Sequence, residues 1–489
     1  MRVSDYYTLG LLQPSLEFLD VDTTNDTRLF VDPRAFRFVP TPWAAECVSL
    51  LQDFYDELLG AIGAPDRARG LTLLSHAGES NEVHLGLSKG RSRGNGVGPH
   101  LAEDIFDALA ASTAITSGLT SDFEETVLFV EGIGHDRVSD MTINIVRRQL
   151  IEFTQRMCTL YGIPLVPDVD SGPMWDRHSH AWTHEYVELP MIGHEKLLLI
   201  PKAVVRKTST FDPGDYLTHF VLPFLVEKEL DTPGSPLVQQ YARRGRHRGA
   251  KYVTKASIKV RNQNSDRPLS TKQMNTEATN ENPDLLAAYR EKRGEKSEPP
   301  RHEDIALATG TAEPDWDDLL EKVVSLAPGA ATADAYHRAV QNLLTALFYP
   351  ALDLPEREFD IHDRRKRIDI VFANVAASGF FQWLDTHGGV NAGSVVVECK
   401  NYSGSLANPE FDQITGRFSP RRGEFGLLLY RGFGSEKGSV VQHFRDAALD
   451  GRGYVIALDD GDLRELVSAR RDGEETTFAY LLARFRELI

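Results

Sequence analysis

Three short apolar runs near the C-terminus constrain the fold more than any other feature: Val395-Val396-Val397, Phe425 to Tyr430 and Tyr454 to Leu458. Each is short for a globular helix and lacks the polar alternation of a half-exposed strand, so each reads as a strand buried on both faces. Helical stretches follow the second and third runs, which predicts a sheet covered by helices in an α/β arrangement. The first run continues into Glu398-Cys399-Lys400. Residues two apart on a strand share a face, so Glu398 and Lys400 project side by side while Cys399 turns into the opposite layer as a small core side chain. An isolated Glu-x-Lys is usually a solvated pair, but charged groups closing a buried strand seldom lack a partner or a task.

The chain before this strand supplies a matching acid. Arg357 to Ile361 and Lys366 to Phe372 read as a hairpin, with Asp369 in the second arm. Asp334 to Phe348 reads as a helix, because Ala339, Leu343, Leu344 and Leu347 recur at helical spacing. Glu410 to Phe418 reads as another, with Gln413 and Arg417 four apart on one face. Carboxylate oxygens are hard ligands suited to Mg²⁺, which keeps waters and completes its shell with substrate phosphate. A neighbouring lysine can orient or help deprotonate an attacking water and offset charge building on the phosphorane. Two acids and a lysine in one site are therefore equipment for phosphodiester hydrolysis.

In order and type, these residues resemble the PD-(D/E)xK nuclease superfamily, which includes restriction endonucleases, Holliday-junction resolvases and phage-defence effectors. The resemblance covers residues 333–489 and implies a restriction-endonuclease-like α/β/α core with a mixed central sheet. It implies Asp369 and Glu398 as ligands of Mg²⁺, with Mn²⁺ as a substitute, and Lys400 and Gln413 as further catalytic groups. Arg417, Arg367, Arg421 and Arg422 become contacts to the substrate phosphates. The implied activity is that of a Mg²⁺-dependent endodeoxyribonuclease, regulated as an effector of bacterial defence against phage or foreign DNA. Its expected partners are DNA and a second copy of the chain or another protein held by the N-terminal part. One position departs from the family pattern. The first helix, which often offers a Glu to the metal, reads Tyr336-His337-Arg338-Ala339-Val340-Gln341-Asn342, so either His337 or Gln341 stands where the acid would or Asp369 and Glu398 are the only protein carboxylates, and Glu358 and Asp360, further candidate acids, rank below Asp369, Glu398 and Lys400. That departure favours as an alternative a catalytically weak or inactive nuclease fold used for DNA binding or assembly; an RNA-directed nuclease of the same fold is a further alternative.

A chain of 489 residues exceeds one ordinary core and predicts two or three domains. No apolar stretch is long enough to span a bilayer, the start lacks the plan of a signal peptide, and Cys47, Cys158 and Cys399 are too scattered for a disulfide framework or cysteine zinc site. A cytoplasmic protein is expected. The net charge of −17 opposes general affinity for nucleic acid, so distribution matters more than the total. From Arg243 to Lys272 the only acid is Asp266, against ten basic residues, which suits either a duplex-binding stripe or a solvated linker. Arg364, Arg365, Lys366 and Arg367 at the hairpin turn, with Arg421 and Arg422, are better placed to meet phosphates near the site.

Residues 1–234 read as a larger mixed α+β domain for recognition or regulation, and 235–332 as a basic, polar linker with short helices. Expected elements include strands over Leu16 to Asp20, Leu29 to Asp32 and Leu197 to Pro201, and helices over Trp43 to Ile62 and Met141 to Tyr161, the last capped by Asp140. In the preceding turn, Arg137 is expected to pair with an acid. Lys202 follows a buried run that lacks the acid of a second Glu-x-Lys. The glycine-rich basic loop Leu85 to Pro99 is not a Walker sequence and reads as a surface loop before a helix. His178, His180 and His184, interleaved with Trp175 and Trp182, sit on an expected loop, with zinc as the lesser option.

Overall fold

The computed structural model describes residues 1–489 except 65, 77, 87–98, 209, 240–252, 295–297, 362–365, 421 and 433–435, and except the side chains of 99, 100, 294, 358, 360, 361 and 366. The glycine-rich loop, most of the basic run before Lys255, Arg364, Arg365, Arg421 and the side chains of Glu358 and Asp360 therefore lie outside the described residues.

The C-terminal part is built on a five-stranded mixed sheet. Its strands are β1 (Leu352–Ile361), β2 (Lys366–Asn374), β3 (Ser394–Lys400), β4 (Phe425–Tyr430) and β5 (Tyr454–Leu458), in the spatial order β5-β4-β3-β2-β1. The pairs β1/β2 and β2/β3 are antiparallel, and β3/β4 and β4/β5 are parallel. The three apolar runs are the three strands on the parallel side, and nearly every residue in them is buried. Parallel pairing needs crossovers, and the chain supplies them as helices Asn408–Thr415 and Lys437–Leu449.

Helix α1 (Trp316–Val324) and helix α2 (Ala333–Phe348) precede the sheet, and α3 (Asn408–Thr415) follows β3. Tyr336, Val340, Leu343, Leu344 and Leu347 put one stripe of α2 into the core beneath the sheet. The helix ends at Tyr349 in an extended conformation, because the residue before Pro350 is disfavoured from helical angles.

The N-terminal part is mostly helical. Helix Pro42–Gly63 starts on Thr41, whose hydroxyl accepts from the Ala44 amide at 3.2 Å, with Pro42 in the first turn where no amide is needed. Phe30–Val31 pairs with Val205–Arg206, whereas Leu16 to Asp20 and Leu197 to Pro201 are extended segments joined only by the bridge Phe18 to Pro201 among the described residues. The expected helix Met141 to Tyr161 is two, His135–Ile145 and Arg147–Tyr161. Asp140 therefore lies inside a helix rather than capping one, where burial and then the charges of Asp136, Glu79 and Asp26 push its carboxyl up to about 8. Arg137 donates to the Gly132 carbonyl at 2.7 Å. The histidine segment is a hairpin, Met174–Asp176 with Ala181–Thr183, that packs Trp175 edge-on and Trp182 at a tilt against Phe54. Its imidazoles diverge: His180 faces Asp53 and Glu57, and His184 faces Asp170.

Between 255 and 324 the described chain forms five helices, and their apolar residues enter both cores. Ile258, Met274, Leu286, Tyr289 and Ile305 join the N-terminal core, and Leu319 and Val323 the C-terminal one. Several basic residues of the stripe have partners within the chain: Lys272 donates to the carbonyls of Val130 and Ile133, Lys255 to that of Thr218, and Arg261 pairs with Glu229. None of the described helices is long and apolar enough to cross a membrane.

Candidate active site

The site forms where the β2/β3 ladder ends. The register ends with Ile370 opposite Val397, and Asp369 and Glu398 are the next residues along their strands. There the Asp369 carboxylate takes the place of a ladder bond, accepting from the Cys399 amide at 2.8 Å. A side chain thus satisfies the backbone donor where the pairing stops, and the polar ends of both strands meet at that point.

Glu398 is fully buried, and three donors converge on it. Gln413 Nε2 donates to Oε2 at 3.0 Å, Arg417 Nε to Oε1 at 3.3 Å, and Lys400 Nζ lies 3.5 Å from Oε2. Lys400 Nζ also donates to Gln413 Oε1 at 2.8 Å, so one amide orients both the acid and the base of the motif. Burial first, and then the charge of Asp369, push the Glu398 carboxyl up to about 7, against the pull of Lys400 and Arg417.

Helix α3 reaches this cluster because of Gly426 in β4. A Cβ on Gly426 would meet the Val396 carbonyl oxygen at 2.9 Å and Ile414 Cδ1 at 3.2 Å, so the glycine lets the helix settle on the sheet with Gln413 beside Glu398. The helix stops at Thr415, two residues before Arg417, yet the turn still brings the guanidinium onto Glu398. Arg417 is only 7% exposed and faces the acid instead of solvent. Arg422 donates from Nε to the Arg417 carbonyl at 2.9 Å, and Arg367 is exposed on β2.

On the other side of Asp369, α2 presents His337, whose Nε2 is 4.0 Å from Asp369 Oδ2. His337, Asp369 and Cys399 bring an imidazole nitrogen, a carboxylate oxygen and a thiol sulfur within 4.8 Å of one another. Burial pushes the Cys399 thiol well above its ordinary range, which keeps it protonated and a poor ligand, so the nitrogen and the oxygens are the usable donors. Of the two candidates on this helix, His337 adjoins the site and Gln341 does not. Gln341 donates to Glu17 Oε1 at 2.9 Å, away from the acids.

Two further residues support the site. Arg431, directly after β4, donates to Asn401 Oδ1 at 2.9 Å, to Asp460 at 3.0 Å, and to the Leu326 and Val324 carbonyls at the end of α1. Asn401, next to Lys400, donates to Gly329 and Thr332 just before α2. Together they tie the end of β3 to the start of the helix that carries His337. The signal for Arg431 was present in the sequence, since a charge closing a buried apolar run is the same feature that singles out Glu398.

Residues 9–212 are similar to a family described as a domain of unknown function (DUF8370). No curated protein and no solved structure matches the chain.

Proposed function

We propose that residues 333–489 form a restriction-endonuclease-like domain whose site hydrolyses DNA phosphodiester bonds with a divalent cation. The observation that carries this reading is the hydrogen-bonded set Lys400, Gln413 and Glu398 at the open end of the ladder beside Asp369. Asp369 and Glu398 would hold the cation, with His337 as the nitrogen donor in the place of the acid that the family often has there. In support, the charge of Asp369 raises the Glu398 carboxyl, a repulsion that a divalent charge between them would remove, and Asp369 faces His337 at 4.0 Å. A bound Mg²⁺ or Mn²⁺ supplies Lewis-acid polarisation of the phosphate.

The chain's own groups account for the rest. Gln413 fixes the Lys400 ammonium beside the acids, where it can orient the attacking water and offset charge on the phosphorane. Arg417 limits charge repulsion at Glu398 in the absence of substrate, and Arg422 and Arg367 lie nearer the surface, suited to the DNA backbone. Acidic surface elsewhere restrains non-specific DNA binding, consistent with a regulated effector of defence against foreign DNA. The test is incubation of purified protein with supercoiled, linear and single-stranded DNA and with RNA of matched sequence, with and without Mg²⁺ or Mn²⁺. Metal-dependent nicking or linearisation of DNA is expected; no cleavage of any substrate with either metal would refute the reading.

A further inference from the structure

We infer that Glu17 and Gln341 are positioning residues, through which the N-terminal part of the chain sets the helix face that presents His337 to Asp369. The inference rests on the nuclease reading above and concerns how the site is held in register. Gln341 and His337 are four apart on α2, so they stack on one face of the helix one turn from each other. Gln341 is 2% exposed and Glu17 is fully buried. A buried carboxylate is costly unless donors surround it, and Glu17 draws its donors from both parts of the molecule. Gln341 Nε2 donates to Oε1 at 2.9 Å, and Tyr161 of the helix Arg147–Tyr161 donates its hydroxyl to Oε2. The backbone is held as well, because the Lys202 amide donates to the Glu17 carbonyl at 3.0 Å.

Lys202 extends the same buried cluster to the sheet. Its ammonium lies 4.2 Å above the Tyr349 ring, which closes α2, and in the field of Asp353 on β1. Asp353 pairs in register with Ala373 on β2, the strand that carries Asp369. The N-terminal part thus grips both elements that supply the Asp369 side of the site: α2 through Glu17, and the β1/β2 hairpin through Lys202. Glu17 and Lys202 both fall in the stretch similar to the domain of unknown function.

The hydrogen bond can be reversed chemically, which gives a discriminating test. Gln341→Glu sets two carboxylates face to face. Adding Glu17→Gln restores the bond with donor and acceptor exchanged. The amide introduced at position 17 can donate to the carboxylate introduced at position 341, while its oxygen still accepts from Tyr161. Mn²⁺ affinity is measured by electron paramagnetic resonance, together with hydrogen exchange along α2, for wild type, Gln341→Glu and the double variant. The expected result is Mn²⁺ affinity weakened about tenfold in the single variant, with faster exchange in α2, and both recovered in the double variant. If Gln341→Glu does not fold, Gln341→Met, which removes the bond without adding charge, is expected to show the same weakening. Unchanged Mn²⁺ affinity in a folded single variant, or a double variant no better than the single, would overturn the inference while leaving the nuclease reading intact. Absence of Mn²⁺ binding by the wild type would instead overturn that reading, and this inference with it.

Discussion

Replacing Asp353 by Asn gives a stability change whose pH dependence follows from burial alone. Asp353 is fully buried at the start of β1, and desolvation pushes its carboxyl from 3.8 up to about 6, only partly offset by Lys202. The native state therefore holds its proton more tightly than the unfolded chain between those values. Because stability falls with rising pH wherever the folded state binds more protons, the wild type loses stability as pH rises from 3.8 through 6. The difference between the two values corresponds to roughly 3 kcal/mol over the whole window, of which about 1.4 kcal/mol falls between about pH 5 and pH 8. Asn cannot titrate, so the variant lacks this loss whatever constant offset it carries from its weaker attraction to Lys202. Urea unfolding of both proteins at about pH 5, 6, 7 and 8 is the assay. The stability of Asp353→Asn relative to wild type is expected to rise across that series and level off above about pH 7. A difference that stays flat or falls with pH would refute the assignment of Asp353 as a buried acid whose pKa is raised by desolvation.

Gln413→Leu, which removes the amide shared by Lys400 and Glu398, is expected to lower the cleavage rate about a hundredfold and to cost about 1–3 kcal/mol of stability, as measured by plasmid cleavage alongside urea denaturation. Arg431→Met is expected to cost about 3–5 kcal/mol in urea unfolding, because it leaves Asp460 and the last carbonyls of α1 without their buried partner.

The C-terminal sheet was legible in the sequence because its strands are short, apolar and bounded by turns, and β4 and β5 match their expected limits. The helix that carries His337 was legible from helical periodicity, and the one that carries Gln413, expected over Glu410 to Phe418 by its place after the Glu-x-Lys strand, spans Asn408–Thr415. The sequence could not choose between His337 and Gln341, since both lie on α2 and only the position of Glu17, far away in the chain, decides which one faces the acids. The N-terminal extended segments look like strands in the sequence for a related reason. Leu197 to Pro201 has the apolar run of a buried strand, but its neighbours are helices and loops, so most of its residues find no ladder partner among the described residues. That the linker carries short helices was legible, but the helices Lys255–Gln263 and Thr271–Glu281 are hidden in the sequence because each buries only one narrow stripe, such as Ile258 or Met274, amid polar residues that dominate the composition. Asp140 looks like a cap because a glycine-bearing turn precedes it, whereas the helix starts earlier, at His135.

The central claim is that Asp369, Glu398 and Lys400 form one hydrolytic site, and the most direct test is cleavage of supercoiled plasmid by wild type and by Asp369→Asn, Glu398→Gln and Lys400→Met with Mg²⁺ or Mn²⁺. Wild type is expected to nick or linearise the plasmid only with metal, and each variant to be slower by about a hundredfold or more while remaining folded. Any of the three cutting at the wild-type rate, in a preparation free of contaminating nuclease, would contradict it.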